Sequence, residues 1–522
     1  MEYQSIPTQG AVEWENFTIG SDIFLAIANF RSGDIYNIYS KIYKWNGSLF
    51  VEYQSIPTNG ALAWESFTIG SSTFLAVANF GDNSTHNVNS KIYRWNGNLF
   101  VEYQSILTNG AAYWESFTIG SDTFLTLAGY LGKPTPNADS KIYRWNGSLF
   151  VEIQSISTND EAIHWESFTI GSDTFLAVAC HLSPGYGYNL DSKIYKFNRG
   201  FFAEFQSIPT QGAAEWEYFT IGSDIFLVIA NCYDDSSSNI WSKIYKWNGG
   251  SFVEFQTLYT HGVRDWESFI IGTDTFLAVA NGHDGSSHNV DSKIYKWYGN
   301  SFVEYQTIPT HGAANWEFIT IGTDIFLVVA NARNDSTWDV DSKIYKWYGS
   351  SFVEYQSIST QGAVDWESFS IGTDTFLAVA NYNNNATYKI DSKIYKIYKE
   401  EVVPVCPADV DNDCELTVFD LVLINRCIQG FSVIVPTLWR QLYPDIPSDE
   451  DICKKVDECK SYYNVDTRDD LTVFDLVIIN RYIQGFPTIV PNAWRTLYPE
   501  IPPDSEIAEK VEALRPKCTL RK

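Results

Sequence analysis

Several things are scarce or missing in this 522-residue chain, and each absence closes off a class of function. No run of eighteen apolar residues exists, so no segment reads as a membrane-spanning helix. Positive charge is in short supply. Against 63 Asp and Glu stand 36 Lys and Arg, and a net charge of −27 argues against nucleic acid or an anionic membrane as partner. There is no Gly-x-Ser-x-Gly, His-Glu-x-x-His, P-loop or dinucleotide fingerprint, and the seven histidines are scattered, so nothing points to an enzyme. Neither Cys-x-x-Cys nor a Cys/His cluster occurs among the eight cysteines. Six follow residue 405, while Cys180 and Cys232 sit at near-equivalent places in neighbouring repeats; that distribution favours disulfides over metal ligation. No signal peptide is visible. Met1 stands inside a strand where other copies carry Val, so the natural N-terminus is expected to have been processed or omitted.

What is present is a repeat. With 45% hydrophobic and 16% aromatic residues, the chain is globular and long enough for more than one domain. Residues 64 to 106 hold four short segments rich in aromatic and β-branched side chains, joined by Gly-Ser-Ser, one long polar run and Asn-Gly. This predicts a four-stranded antiparallel meander with two tight hairpins and one long loop. The Trp-Glu pair that opens it returns at Trp14, Trp64, Trp114, Trp165, Trp216, Trp266, Trp316 and Trp366, always 50 or 51 residues on, and every copy carries Ser-Lys-Ile-Tyr. One small sheet cannot bury both faces alone, so the period predicts an all-β, eight-bladed β-propeller, a seven-bladed ring with a displaced unit being the alternative. The chain opens on a lone fourth strand, Glu2 to Ile6, and the eighth unit ends at Ile397 without one. Pairing the two closes the ring and removes a bare edge.

Comparing the units with one another separates scaffold from variable surface. The invariant Glu and Lys, such as Glu65 and Lys91, are expected to pair with each other, and the acid of Gly-Ser-Asp or Gly-Thr-Asp, as at Asp122 or Asp274, to stabilise its own turn. Variation concentrates in the long second-to-third loops, which are expected to emerge on one rim with the fourth-to-first connections. Tyr36, Tyr186, Trp241 and Trp338 are the candidate partner-binding aromatics there. Asn-x-Ser/Thr sequons stand at Asn16, Asn46, Asn83, Asn146, Asn334 and Asn385, several in turns, and with the cysteines they point to an extracellular protein.

The repeated WESFTIGSDTFLAVAN and SKIYKWNG resemble the EAR (EPTP) repeat over roughly residues 1 to 398. That resemblance implies a propeller, usually of seven blades, that binds proteins and has no catalytic activity.

After a linker at 399–405 the composition changes, and residues 406–522 form a second duplicated segment. LTVFDLVLINRCIQGF (416 to 431) returns as LTVFDLVIINRYIQGF (471 to 486). In front of the first copy, Asp409, Asp411, Asp413 and Asp420 occupy loop positions 1, 3, 5 and 12, with Glu415 at position 7 offering a carbonyl, which is the hard-oxygen set a Ca²⁺ ion requires. Pro404 and Pro407 leave no room for an entering helix. The segment resembles the loop-helix repeat of a dockerin, a small α-helical module that docks in calcium onto a cohesin partner. The second loop offers Asn464, Asp466, Asp470 and Asp475 but places Arg468 at position 5, so a second Ca²⁺ site is expected to be weaker or empty. Through the resemblance, positions 10 and 11 would touch the partner; they include Phe419 and Phe474.

The leading expectation is a secreted, non-enzymatic subunit whose propeller face and calcium-stabilised tail join it to protein partners, including copies of itself, in a fibre or surface layer. The alternative is a ligand- or carbohydrate-binding propeller held on a cohesin-type scaffold. A carbohydrate-active enzyme rests only on the company dockerins keep.

Overall fold

The computed structural model describes residues 2–129, 140–156, 161–183 and 187–397, together with Leu423, Ile424, Ile452, Pro503, Ser505 and Ile507. The chain divides into two compact units, Met1–Lys399 and Glu400–Lys522. In the second, the described Leu423, Ile424, Ile452 and Ile507 are buried. The calcium-ligand candidates Asp409, Asp411, Asp413, Glu415, Asp420, Asn464, Asp466, Asp470 and Asp475, and also Phe419, Phe474 and Tyr186, lie outside the described residues.

The first unit is an eight-bladed propeller of antiparallel four-stranded sheets. Blade 1 shows the pattern: Ala11–Ile19, Asp22–Asn29, Asn37–Trp45 and Phe50–Asn59, each paired to the next. Glycines in the left-handed region make the hairpins, Gly20 (φ 63°) between the first two strands and Gly47 (φ 100°) between the last two. Beside Gly47, the Asn46 carboxamide accepts the amides of Ser48 and Leu49 at 2.9 Å and holds the turn.

Alternation along each strand sends side chains to two different blade interfaces. Phe17, Phe24, Ala26 and Ile42 of blade 1 pack on Trp64, Leu75, Val77 and Tyr93 of blade 2. Trp14, Leu25 and Ile27 face Phe369, Phe376 and Ile394 of blade 8. The Trp of Trp-Glu is fully buried in every blade. In blade 2 its indole also donates to the Ile27 carbonyl of blade 1 at 3.0 Å, so one side chain supplies both apolar area and an inter-blade hydrogen bond. A second staple sits further out: the Gln54 carboxamide donates to the Phe100 carbonyl at 2.7 Å and accepts the Phe100 amide at 2.9 Å.

Ring closure follows the expectation. The N-terminal strand, Glu2–Gln9, pairs with Lys389–Ile397 as the missing fourth strand of blade 8, with Ile6 opposite Ser392 and Thr8 opposite Ile390. Its contacts repeat those inside the other blades. Lys393 pairs with Glu2 at 2.8 Å as Lys41 does with Glu52 at 2.7 Å, and Ile6 is buried like Ile56.

Three expectations are corrected. Lys91 pairs with Glu102 on the adjacent strand at 2.8 Å, while Glu65 faces the next blade; strand alternation puts the two on different surfaces. Asp122 and Asp274 do not cap their own turns but pair across the sheet with Arg144 (2.6 Å) and Lys296 (2.7 Å). Cys232 is a free thiol whose pKa burial raises, and no disulfide joins it to the buried Cys180.

Candidate functional site at the axial mouth

The innermost strand of a blade leaves one edge unpaired at the axis, and its amides must find acceptors there. The Glu after each Trp supplies them across the blade boundary. Glu15 accepts the Ser66 amide at 2.9 Å, Glu65 that of Ser116 at 3.0 Å and Glu115 that of Ser167 at 3.0 Å. The series ends with Glu367 accepting from Asn16 at 3.3 Å, across the closure. A second tier, from the residue before Trp, does the same for the Trp amides: Glu13 to Trp64 at 2.5 Å, Asp265 to Trp316 at 2.7 Å and Asp365 to Trp14 at 3.1 Å. Here the repeat breaks, because blades 2, 3 and 4 carry Ala63, Tyr113 and His164.

Burial disfavours these charges. It pushes the carboxyl of Glu65 up to about 8, of Glu15 and Glu115 to about 7, and of Glu166, Glu267 and Glu367 to about 9, with neighbouring acids adding to the shift at Glu65, Glu166, Glu267 and Glu367. His164 is pushed down to about 4 by burial alone. Among the described residues, no group of three or more His, Cys, Asp or Glu is arranged to hold a metal ion. The axial acids are built to accept amides.

Above these tiers lies the rim that carries the long loops. Both kinds of connection meet there, since the Gly60 amide donates to the Tyr36 carbonyl and that of Gly362 to the Trp338 carbonyl at 2.7 and 2.6 Å. The loops are less variable than their sequences suggest. A first Asx closes its own turn: Asp284 accepts the amides of Ser286 and Ser287 at 2.8 and 2.7 Å. A second, one residue on in the neighbouring blade, reaches back 47 residues. Asn83 accepts the Tyr36 amide (2.7 Å), Asp235 that of Tyr188 (2.8 Å), Asp335 that of His288 (2.6 Å) and Asn385 that of Trp338 (3.3 Å). This constant separation was the available signal, and the loops' differing lengths and side chains hide it.

On that fixed frame sit cations and aromatic rings. An axial cavity of about 270 Å³ is lined by Val12, Leu62, Ala314 and Val364 of the inner strands, by Arg264, and by Phe30, His288, Arg333, Trp338 and Tyr382 of the loops. Arg264 occupies a position that is Ala214 and Ala314 in the flanking blades, and it is exposed. The Arg333 guanidinium stacks 4.9 Å from the Trp338 ring, and that of Arg31 4.7 Å from Tyr388. Ring contacts run from Trp338 to Tyr382 (6.0 Å), Phe30 (6.4 Å) and Phe80 (5.7 Å), forming an arc over blades 7, 8, 1 and 2. The arrangement suits a carboxylate-bearing or otherwise acidic element with apolar neighbours.

Of the predicted aromatics, Tyr36 and Trp338 are half-buried in this arc. Trp241 is not in a loop; it lies in the strand Asn239–Trp247, opposite Tyr259 and 51% exposed. The alternation of that strand turns it to the outer sheet surface. Arg264 and Arg333 were missed because single basic residues carry no periodic signal. Among the sequons, Asn46 and Asn146 stand exposed in hairpin tips, and Asn83 is exposed on a long loop. Asn334 closes its own loop turn. Asn385 donates its side-chain nitrogen to Thr337 at 2.7 Å, and Asn16 lies half-buried inside the strand Ala11–Ile19 with its nitrogen directed at the Phe24 carbonyl.

Comparison with known proteins agrees with the repeat architecture. The EPTP domain model matches eight times, at residues 2–46, 49–96, 99–146, 149–198, 202–248, 251–297, 301–347 and 351–397. A human "Thrombospondin-type laminin G domain and EAR repeat-containing protein" is 42% identical over 78 residues, covering 15% of this chain and 12% of that protein. Its mouse counterpart is 41% identical over the same share. Thus the matched region spans only about an eighth of those relatives. Among solved structures, the Dos1 propeller overlays with a TM-score of 0.48 at 11% identity, over 76% of this chain and 95% of that one. With eight matched copies closing one ring, this chain belongs to the EPTP family.

Proposed function

We propose that this protein is an extracellular, non-enzymatic interaction subunit, and that the axial mouth on the loop rim docks an acidic segment of a protein partner. The observation that carries this reading is Arg264. The repeat places a small or aliphatic residue at its position in the neighbouring blades, and the axial carboxylates below already have backbone partners. In a chain of net charge −27, an exposed guanidinium beside Arg333, Trp338 and an apolar cavity is a selective point of attachment. The second attachment point is the dockerin-like tail, whose Asp409 loop would bind Ca²⁺ and whose partner would be a cohesin-like domain or another copy of the chain. Contacts between unlike surfaces that do not close on themselves build filaments, which is the assembly expected here.

Imaging and light scattering of the full chain test this. Filaments or large assemblies are expected in calcium, dispersing in chelator and failing to form in R264A/R333A, whose propeller keeps its melting temperature. Monodisperse monomers at high concentration in calcium overturn the assembly reading.

A further inference from the structure

We propose that the outer surface of blade 5 is a carbohydrate-binding platform built on Trp241 and Tyr259, separate from the axial mouth. Trp241 and Tyr259 are directly opposite on the third and fourth strands. The same pair is Tyr39–Pro57 in blade 1, Asn89–Leu107 in blade 2, Asp191–Pro209 in blade 4, Asp291–Pro309 in blade 6, Asp341–Ser359 in blade 7 and Asp391–Pro7 in blade 8, so two facing rings occur in blade 5 alone among these. In three of these blades the aspartate accepts a serine hydroxyl of the adjacent strand: Ser207, Ser357 and Ser5, at 2.9, 2.9 and 2.7 Å. A solvated Asp therefore satisfies the scaffold, and two large rings there answer to something else.

The rings are held and left open. Trp241 is 51% exposed and Tyr259 42%. Their centroids are 5.1 Å apart with planes at 62°, an aromatic corner open to solvent. Tyr259 rests edge-on against His261 at 5.4 Å, and the His261 Nδ1 lies 2.5 Å from the Asn239 Oδ1. Asn239 is fixed in turn by donating to the Asp284 carbonyl of blade 6 at 2.9 Å. Both rings stand on paired strands, so little conformational freedom remains to be lost on binding.

This chemistry suits a sugar. The C–H face of a pyranose stacks on an indole, and its hydroxyls need polar neighbours at the ring edges, here the Tyr259 hydroxyl and the His261 imidazole. An open corner of two rings has the footprint of one or two sugar units. A protein hot spot is instead a desolvated pocket within a broader interface. The lysines nearest the corner are already paired, Lys243 with Glu254 at 3.0 Å and Lys293, which acts on His261, with Glu304 at 2.8 Å, so the ligand class is a neutral oligosaccharide.

An array of neutral and acidic oligosaccharides, probed with the full chain, tests the proposal. Retention on neutral glycans is expected. W241D, which installs the residue of blades 4, 6, 7 and 8, weakens it about tenfold or more at unchanged melting temperature; W241F preserves it within a few-fold, and R264A leaves it untouched. No retention of the wild-type chain on neutral glycans, or equal retention by W241D, overturns the proposal. Should W241D lower the melting temperature, Y259S supplies the same comparison from the other ring, and equal retention by it also overturns the proposal.

Discussion

The axis and the rim of this propeller are a few residues apart along each inner strand, yet they obey opposite rules. At the axis the same Glu recurs in all eight blades because each one caps an edge amide of its neighbour, a requirement the ring imposes identically on every copy. At the rim the backbone frame is held at four blade boundaries by Asx side chains that reach from blade to blade, and the side chains standing on it differ from one copy to the next. In a chain built by internal duplication, repetition marks what the fold needs and departure marks what it does not. Arg264 and Trp241 are departures of this kind.

The largest loss of stability is expected at a blade interface. W64A removes a fully buried indole and its bond to Ile27, and a loss of about 3–5 kcal/mol is expected in denaturant unfolding. Next comes the carboxylate ring. E65A leaves the Ser116 amide without its acceptor and costs roughly 1–3 kcal/mol, whereas E65Q keeps an acceptor and removes the charge.

The ring also sets a pH trend. These carboxyls have folded pKa values above the ordinary 4.5, so they bind protons more tightly folded than unfolded. Their contribution is fully present below about 4.5 and is lost as pH rises through 7 to 9. The paired surface acids Glu52, Glu102 and Glu304, shifted downward chiefly by their lysine hydrogen bonds, act in the opposite sense and weaken only under stronger acid. Melting temperature is therefore expected to fall from mildly acidic to alkaline pH, and E65Q to flatten that slope. A stability curve rising toward pH 9 would contradict the burial of the ring.

Smaller effects belong to the rim. D335A removes the acceptor of the His288 amide, and faster hydrogen exchange at His288 is expected with little change in global stability. Smallest in stability, though plain in mass, is glycan occupancy. Expression in a secretory host is expected to modify Asn46 and Asn146 on the exposed hairpin tips and to leave Asn16 bare inside its strand.

The blade was legible because its cause is local. Alternating aromatic and β-branched residues, Gly at the turns and a period of 50 or 51 residues specify a meander and its repetition, and the split fourth strand announced how the ring would close. Charge alone does not say which groups meet. Glu65 and Lys91 are opposite in sign but project from surfaces that strand alternation and blade stacking keep apart. The third strand of blade 5 begins at Asn239, inside the polar run, and so takes in Trp241.

By itself, then, the sequence determined the repeated sheet, its copy number and the strand that seals the circle, since those follow from backbone preference and from each sheet's need for apolar cover. Only the assembled ring decided that eight glutamates would serve their neighbours' amides, that Arg264 and Arg333 would share one mouth, and that Trp241 would stand in solvent. Those outcomes depend on which residues of separate blades come within a few ångströms, and spacing along a chain does not encode that distance.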